Sequence, residues 1–343
     1  MKRSRFGALA VIFGAAGALL AGRGVDAQPS PPTPPAAGAT RTLSVATLAP
    51  AGSAWMRVFE AWNREIRRRT NKALSITFYP GGVQGDESEV IRKIRQGRLD
   101  GAGVTAVGLA QIHRPALTFQ MPGMFRGYAQ LDAARNGLNT EMAQAFDQAN
   151  FVLMGWADVG TTHPFTRTPV RTPAELRPLH PWAWRDDSVL PAFFSVINAT
   201  PVTLQVPEVL SALQTNRIDS FVSSPVATLA LQWSSRVTHM TQVDCAISIG
   251  ATVFGKNQFN ALSQEHQTVL RETAAQFHTQ LIRNLRRDEG VALTTLQSRG
   301  ITMVPVSPAE RGQWNTAFQQ TRARLTGQIA PAAFIARVAA FNR

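Results

Sequence analysis

Cysteine occurs once in the 343 residues, at Cys245, so no disulfide can form within the chain. A core of this size needs no covalent staple, and the lone thiol reads as a small buried apolar residue. The six histidines, at 113, 163, 180, 239, 266 and 278, include no pair at i,i+2, i,i+3 or i,i+4. That local spacing is the usual source of zinc ligands, so no metal and no cofactor is expected. G-x-S-x-G, S-x-x-K with its partners and the phosphate-binding P-loop are all missing. Ser223, His239 and Asp244 can be grouped as a triad on paper, but so can some trio in most chains with six histidines; the chain is not expected to be an enzyme. Beyond the first two dozen residues no segment holds the roughly 18 consecutive apolar residues that cross a membrane. Runs of five or more basic residues are also lacking, so the formal charge of +13 reads as a solvated exterior and nucleic acid is not an expected partner.

What is present begins with an export signature. Lys2, Arg3 and Arg5 precede an apolar run from Phe6 to about Gly22, then small residues at Val25 and Ala27. This order predicts a signal peptide over 1–27, cleaved after Ala27. Arg23 follows "LLAG" where a lipid-modified cysteine would be required, so the product is expected to be soluble. Losing four basic residues and Asp26 lowers the formal charge to +10. Residues 28–41, with "QPSPPTPPAAGAT", form a Pro-rich linker without the composition of a core.

The body that follows alternates strands and helices. "TLSVATLAP" reads as a strand, then Ser53 caps a helix with Trp55, Phe59, Trp62 and Ile66 on one face. "ALSITFYP" is a second strand; Asp86 and Glu89 form a D-x-x-E cap before Val90, Ile91 and Ile94; Gly97 stops that helix; Leu99 to Val107 is a third strand. The same grammar returns in "LHPWAW", a helix capped by Asp186 or Asp187, "TPVTLQ", a helix from Pro207 to Asn216, and "IDSFVSS". "GRLDGAGVTAVGLA" from Gly97 and "NRIDSFVSSPVATLA" from Asn216 are near echoes, each a turn feeding a strand. Short joints between alternating elements predict an α/β fold with mostly parallel sheets. A long amphipathic pattern from Ser263 to about Ser298 could brace two lobes, with Gly290 a candidate break.

In open α/β sheets ligands bind beyond the carboxyl ends of strands. That rule selects Trp55, Gln84, Thr105, Trp156, Trp182, Trp184, Ser223 and Ser224. Indole faces can stack on a flat or apolar ligand while hydroxyls and N–H groups orient it. Each tryptophan taken singly also fits a core. Trp62, Trp233 and Trp314 are assigned there, whereas Trp182 and Trp184 point the same way along one strand.

Several stretches, in order from about Thr42 to the C-terminus, carry a family resemblance: "ATLAPAGSAWMRVFEAW", "YPGGVQGDESEVIRKIRQGRLDGAGVTAVGL", "FQMPGMFRGYAQLD", "TPAELRPL", "VLSALQTNRIDSFVSSP" and "FNALSQEHQTVL". The chain resembles the extracytoplasmic solute receptors of tripartite ATP-independent periplasmic (TRAP) transporters. The resemblance implies a two-lobed clamshell with a long bridging helix, a small organic ligand held in the interlobe cleft, and delivery to a TRAP-type membrane permease. The receptor is expected to be periplasmic and monomeric. On that plan lobe I spans 42–156 with 247–284 returning to it, and lobe II spans 157–246 with 285–343 returning. In the family a run like "DLKGLKIR" ends in an arginine that clamps a substrate carboxylate; here "ELRPLHPW" puts Trp182 at that place. A second such arginine would fall near Thr161 or Thr162, and Arg185 is the nearest substitute, beside Asp186 and Asp187. The expected ligand is therefore aromatic, apolar or weakly charged. The alternative is an exported sensor, or a carrier of lipids or other hydrophobic molecules, that keeps the clamshell without a permease.

Overall fold

The computed structural model describes residues 40–342, so the predicted signal peptide and nearly all of the linker lie outside the described residues. From β1 (Arg41–Thr47) the chain enters α1 (Ala54–Arg69), where Ser53 Oγ accepts the Met56 N–H at 3.3 Å. Trp55, Phe59, Trp62 and Ile66 are buried, as their spacing predicts. β2 (Leu74–Tyr79), α2 (Glu87–Arg95), β3 (Gly101–Thr105) and α3 (Ala106–Ala110) follow. The expected third strand is thus five residues long, and "AVGLA" turns helical because Thr105 Oγ1 accepts the Val107 N–H and starts a new helix there. The expected D-x-x-E cap is also different. Asp86 accepts the Glu87 N–H at 2.7 Å, while Glu89 turns outward to Arg92.

α4 (Tyr128–Gln148) leads into β4 (Phe151–Thr166), then β5 (Trp182–Trp184), α5 (Val189–Val196), β6 (Val202–Leu204), α6 (Val206–Gln214), β7 (Ser220–Ser223), α7 (Pro225–Ala230) and β8 (His239–Thr241). Of the two candidate caps for α5, Asp187 serves: its carboxylate accepts the N–H groups of Val189 and Leu190 at 2.9 and 3.0 Å. β9 (Ala246–Gly255), α8 (Lys256–Asn260), α9 (Gln264–Ser298), β10 (Thr302–Val304), α10 (Pro308–Leu325) and α11 (Ala332–Ala340) complete the order. α9 runs 35 residues without a break at Gly290. Ser263 caps it, its Oγ accepting the His266 N–H at 3.2 Å.

The main sheet is mixed, not mostly parallel. β1 pairs in parallel with β2 and β3, whereas β9 lies antiparallel between β3 and β4. Farther along, β4 pairs antiparallel with β7 and β8, and β10 adds in parallel to β8. The antiparallel ladders arise because β4 and β9, 16 and 10 residues long, run side by side through both halves of the molecule. β5 and β6 form a small parallel pair tied to β7 by a bridge between Pro181 and Ser220.

Apolar residues gather on both faces of each half. Ile247, Ile249, Ala251 and Val253, alternate residues of β9, join Leu131, Phe146 and Ile91 in one cluster of the first lobe. Leu43, Val45, Trp62 and Leu281 form its other cluster. In the second lobe Trp182, Trp184 and Trp233 belong to one cluster, and Ala183, Phe193 and Trp314 to another, so β5 sends alternate residues to opposite sides. α9 serves both lobes: Leu281 and Leu285 pack in the first, Leu296 in the second. The last helix corrects the expected return of 285–343 to lobe II. Phe334, Ile335 and Val338 pack beside Leu131 and Phe146, because the apolar stripe of α11 finds its partner in the first lobe.

Candidate functional site

The two echo turns are built alike. Gly97 and Asn216 both take left-handed backbone, at φ +71° and +61°, which ends one helix and redirects the chain. Each following aspartate then receives the N–H of a residue on or beside a neighbouring strand. Asp100 accepts from Ser44 N at 2.7 Å and Asp219 from His180 N at 2.8 Å. At the far ends of β3 and β7, Thr105 and Ser224 cap the short helices α3 and α7. The repeated turn therefore delivers one strand end from each lobe to the same place.

Between those strand ends lies a cavity of about 190 Å³. Of the residues selected from sequence, Trp55, Thr105, Trp182, Trp184, Ser223 and Ser224 line it. Gln84 does not; its side chain accepts from Lys93 Nζ at 3.2 Å. Trp156 is also elsewhere, in the first lobe's core against Phe119 and donating to Asn139 Oδ1 at 3.1 Å. Trp62 and Trp314 are core residues, fully buried, as assigned. Trp233, assigned to a core, is both: it packs edge-on to Trp182, centroids 5.2 Å apart, and lines the cavity. No local pattern around "LQWSS" distinguishes such a residue, because its position depends on contact with Trp182 and Phe221.

Three of the four lining tryptophans offer faces, not donors. Trp55 Nε1 donates to Asp158 O at 3.1 Å, Trp182 Nε1 to Leu204 O at 3.1 Å, and Trp184 Nε1 to Asp86 Oδ2 at 3.0 Å. Trp182 and Trp184 stack at 6.0 Å with 29° between their planes. Hydroxyls are used as well: Ser224 Oγ donates to Val159 O, and Thr105 Oγ1 to Glu87 Oε2. With most polar atoms engaged inside the protein, the wall left for a guest is apolar.

The lining's acid and base groups are of one kind. Glu87, Asp158 and Asp187 are there, and among the described lining residues there is no Lys, Arg or His. Arg185, the possible substitute clamp, is outside the lining and lies 3.4 Å from Glu208. Asp158 is neutralised by Arg135 and Arg286 at 2.6 and 2.7 Å. Glu87 has no such partner: Thr105 N, Thr105 Oγ1 and Gly108 N donate to it at 2.7, 2.8 and 2.7 Å. Burial outweighs these donors and pushes its carboxyl from 4.5 up to about 8.

A pH dependence follows. Folded Glu87 holds a proton that the unfolded chain has released, so its contribution is complete below pH 4.5 and is lost as pH rises toward 8. Urea unfolding should show stability falling over that window, by at most about 1.4 kcal/mol per pH unit from this group. Glu87→Gln should flatten the fall; an unchanged slope in the variant would assign it to other groups.

Comparison with known proteins agrees with this architecture. The family model described as bacterial extracellular solute-binding protein, family 7, matches residues 45–327. A solute-binding protein of Chromohalobacter salexigens is 23% identical over 228 residues; the match spans 64% of this chain and 65% of that relative's length. Among solved structures, a TRAP periplasmic solute binding protein from Shewanella oneidensis with bound succinate has a TM-score of 0.84 at 15% identity, covering 89% of this chain and 100% of that one. A Bordetella pertussis extracytoplasmic solute receptor binding pyroglutamic acid gives 0.82 at 18%, over 89% and 100%. A TRAP periplasmic solute binding protein from Xanthobacter autotrophicus with bound β-D-galacturonate gives 0.80 at 17%, over 87% and 99%.

Proposed function

The chain belongs to the bacterial extracellular solute-binding protein family 7, and from that premise we propose that it is a periplasmic receptor that captures a small organic molecule between its lobes and hands it to a TRAP-type permease. Its ligand is aromatic, apolar or weakly charged. The observation that supports this most directly is the cavity lining: indole faces from Trp55, Trp182, Trp184 and Trp233, three acidic side chains, and no described cation. Succinate, galacturonate and pyroglutamate, the ligands of the solved relatives, are carboxylates. A closed cleft without a cationic partner would leave such an anion desolvated and unpaired, at a cost of several kcal/mol. An uncharged ring loses nothing by the exchange and gains by burying area against the indoles.

Native mass spectrometry of protein purified without refolding tests the reading. The expected result is a bound species, released on denaturation and identified as an aromatic or apolar molecule. A sample carrying or preferring a small dicarboxylate would overturn the ligand class.

A further inference from the structure

Asp86 ends the glycine-rich turn before α2, whose apolar stripe of Val90, Ile91 and Ile94 is anchored in the first lobe. Its Oδ1 caps its own helix through Glu87 N, at 2.7 Å. Its Oδ2 reaches the second lobe, where Trp184 Nε1 donates to it at 3.0 Å and Val206 N at 3.1 Å. Next to it Ser88 Oγ donates across the same gap to Asp186 Oδ2 at 2.6 Å. Val206 is the first residue of the nine-residue α6, so its N–H is one of the donors a helix leaves without an internal partner. Asp86 is 1% exposed and forms no ion pair among the described residues. Burial raises its carboxyl above the usual range, with the three N–H donors opposing.

We propose that Asp86 is the receptor's own bridging carboxylate: it joins the lobes and fixes the Trp184 indole in the cavity wall, so the ligand need bring no carboxylate of its own. The inference rests on the receptor reading above and adds to it a positioning residue. Trp184 belongs to the second lobe's core, yet its N–H is satisfied only by a group from the first. Separating the lobes would leave that N–H, the Val206 N–H and a buried carboxylate seeking new partners, so wall geometry and closure are one event. Charge-assisted bonds of this kind are the stronger class of hydrogen bond, and truncating one partner exposes the others' desolvation.

Paired spin labels at the exposed positions Glu60 and Gln214, in a Cys245→Ala background, would read the interlobe distance by pulsed electron paramagnetic resonance. N-phenyl-1-naphthylamine, an uncharged fluorescent aromatic, would serve as the cleft probe. The protein with Asp86 intact should give one narrow distance and bind the probe. Asp86→Ala should lengthen and broaden the distance and weaken the probe about tenfold or more. Millimolar formate, but not chloride, should restore both by refilling the vacated position, and should leave the parent unchanged. Trp184→Phe keeps a ring in the wall and removes one donor; it should shift the distance partway, and it serves as the test even where Asp86→Ala does not fold. The proposal is overturned by an Asp86→Ala protein that is as closed as its parent, by a folded, opened one that formate does not restore, or by a Trp184→Phe protein with the parental distance. A parent that ignores the probe counts against the ligand class alone, since the distance and its rescue by formate are read without it.

Discussion

Asp158→Ala should lower the unfolding free energy by about 3–5 kcal/mol, as expected for removing one partner of a buried ion pair. Asp158 is 0% exposed, with Oδ1 2.6 Å from Arg135 Nη1 and Oδ2 2.7 Å from Arg286 Nε. Arg286 would keep Asp132, which accepts from both of its terminal nitrogens at 2.6 Å. Arg135, 3% exposed, would keep only the Ala157 carbonyl at 2.9 Å. Burial already pulls the Arg135 guanidinium below its usual pKa, and the Asp158 carboxylate is what opposes that pull. Without it a positive charge stays in the core with no direct ion-pair partner among the described residues, only the Trp156 ring face 5.6 Å away and the more distant Asp132. Replacing the pair together, Arg135→Met with Asp158→Leu, should recover most of the loss, since an apolar pair of similar volume avoids both desolvations. Urea unfolding of the three variants decides it; a single-variant loss below about 1 kcal/mol would mean that the pair is not what holds this site.

The position makes the loss matter beyond stability. β4 shifts register against β9 between Asp158 and Gly160, beside residues that line the cavity. Gly160 sits at φ +118°, and a Cβ there would meet Glu289 Oε1 at 2.7 Å. Where the ladder is interrupted, side chains take over its hydrogen bonds: Arg135 holds the Ala157 carbonyl, Trp55 the Asp158 carbonyl, Ser224 the Val159 carbonyl, and Glu289 the Thr161 N–H. Two of those four, Trp55 and Ser224, also line the cavity. Loosening the bulge at Asp158 should therefore disturb the cleft from behind.

Sequence reasoning reaches such features unevenly, for physical reasons. Local signals were sufficient at the echo turns, where Gly97 and Asn216 accept left-handed backbone, but not at the end of β3, where Thr105 caps a helix two residues before the expected strand end at Val107. Ser53, Asp187 and Ser263 likewise declared their helices. Pairing partners were not legible. Nothing in "AISIGATVFG" indicates that β9 inserts antiparallel between β3 and β4, because alternation reports which side chains share a face and not which neighbour lies beside them. The burial of the acidic pair behind and in the cavity wall was missed for a related reason. Asp86 and Glu87 look like ordinary first-turn residues, and only the approach of Trp184, Val206 and Thr105 from distant parts of the chain gives them their burial. Trp156 left the expected site and Trp233 joined it while staying in its core, because a tryptophan's spacing on its own strand or turn does not say which side of the wall it will occupy.

Trp182→Ala should cost the largest share of ligand binding of any single change, at least about 2 kcal/mol, or roughly thirtyfold in affinity for an aromatic probe such as N-phenyl-1-naphthylamine. Trp182 is the middle of the indole group, stacked on Trp184 at 6.0 Å and met edge-on by Trp233 at 5.2 Å, so its removal releases both neighbours from their fixed planes. Stability should fall as well, by about 3–5 kcal/mol for a side chain that is 4% exposed, which makes affinity alone an ambiguous readout. Trp182→Phe separates the two effects. It loses the Nε1–Leu204 hydrogen bond, worth about 1 kcal/mol, and part of the packing, but it keeps an apolar ring toward the cavity. Binding within a few fold of the parent in the Phe variant, beside a thirtyfold loss in the Ala variant measured well below its melting temperature, would mark the ring face as the recognition element. Equal losses in both would mean instead that the indole N–H, by holding the Leu204 carbonyl and the β5–β6 pair in place, is what the ligand depends on.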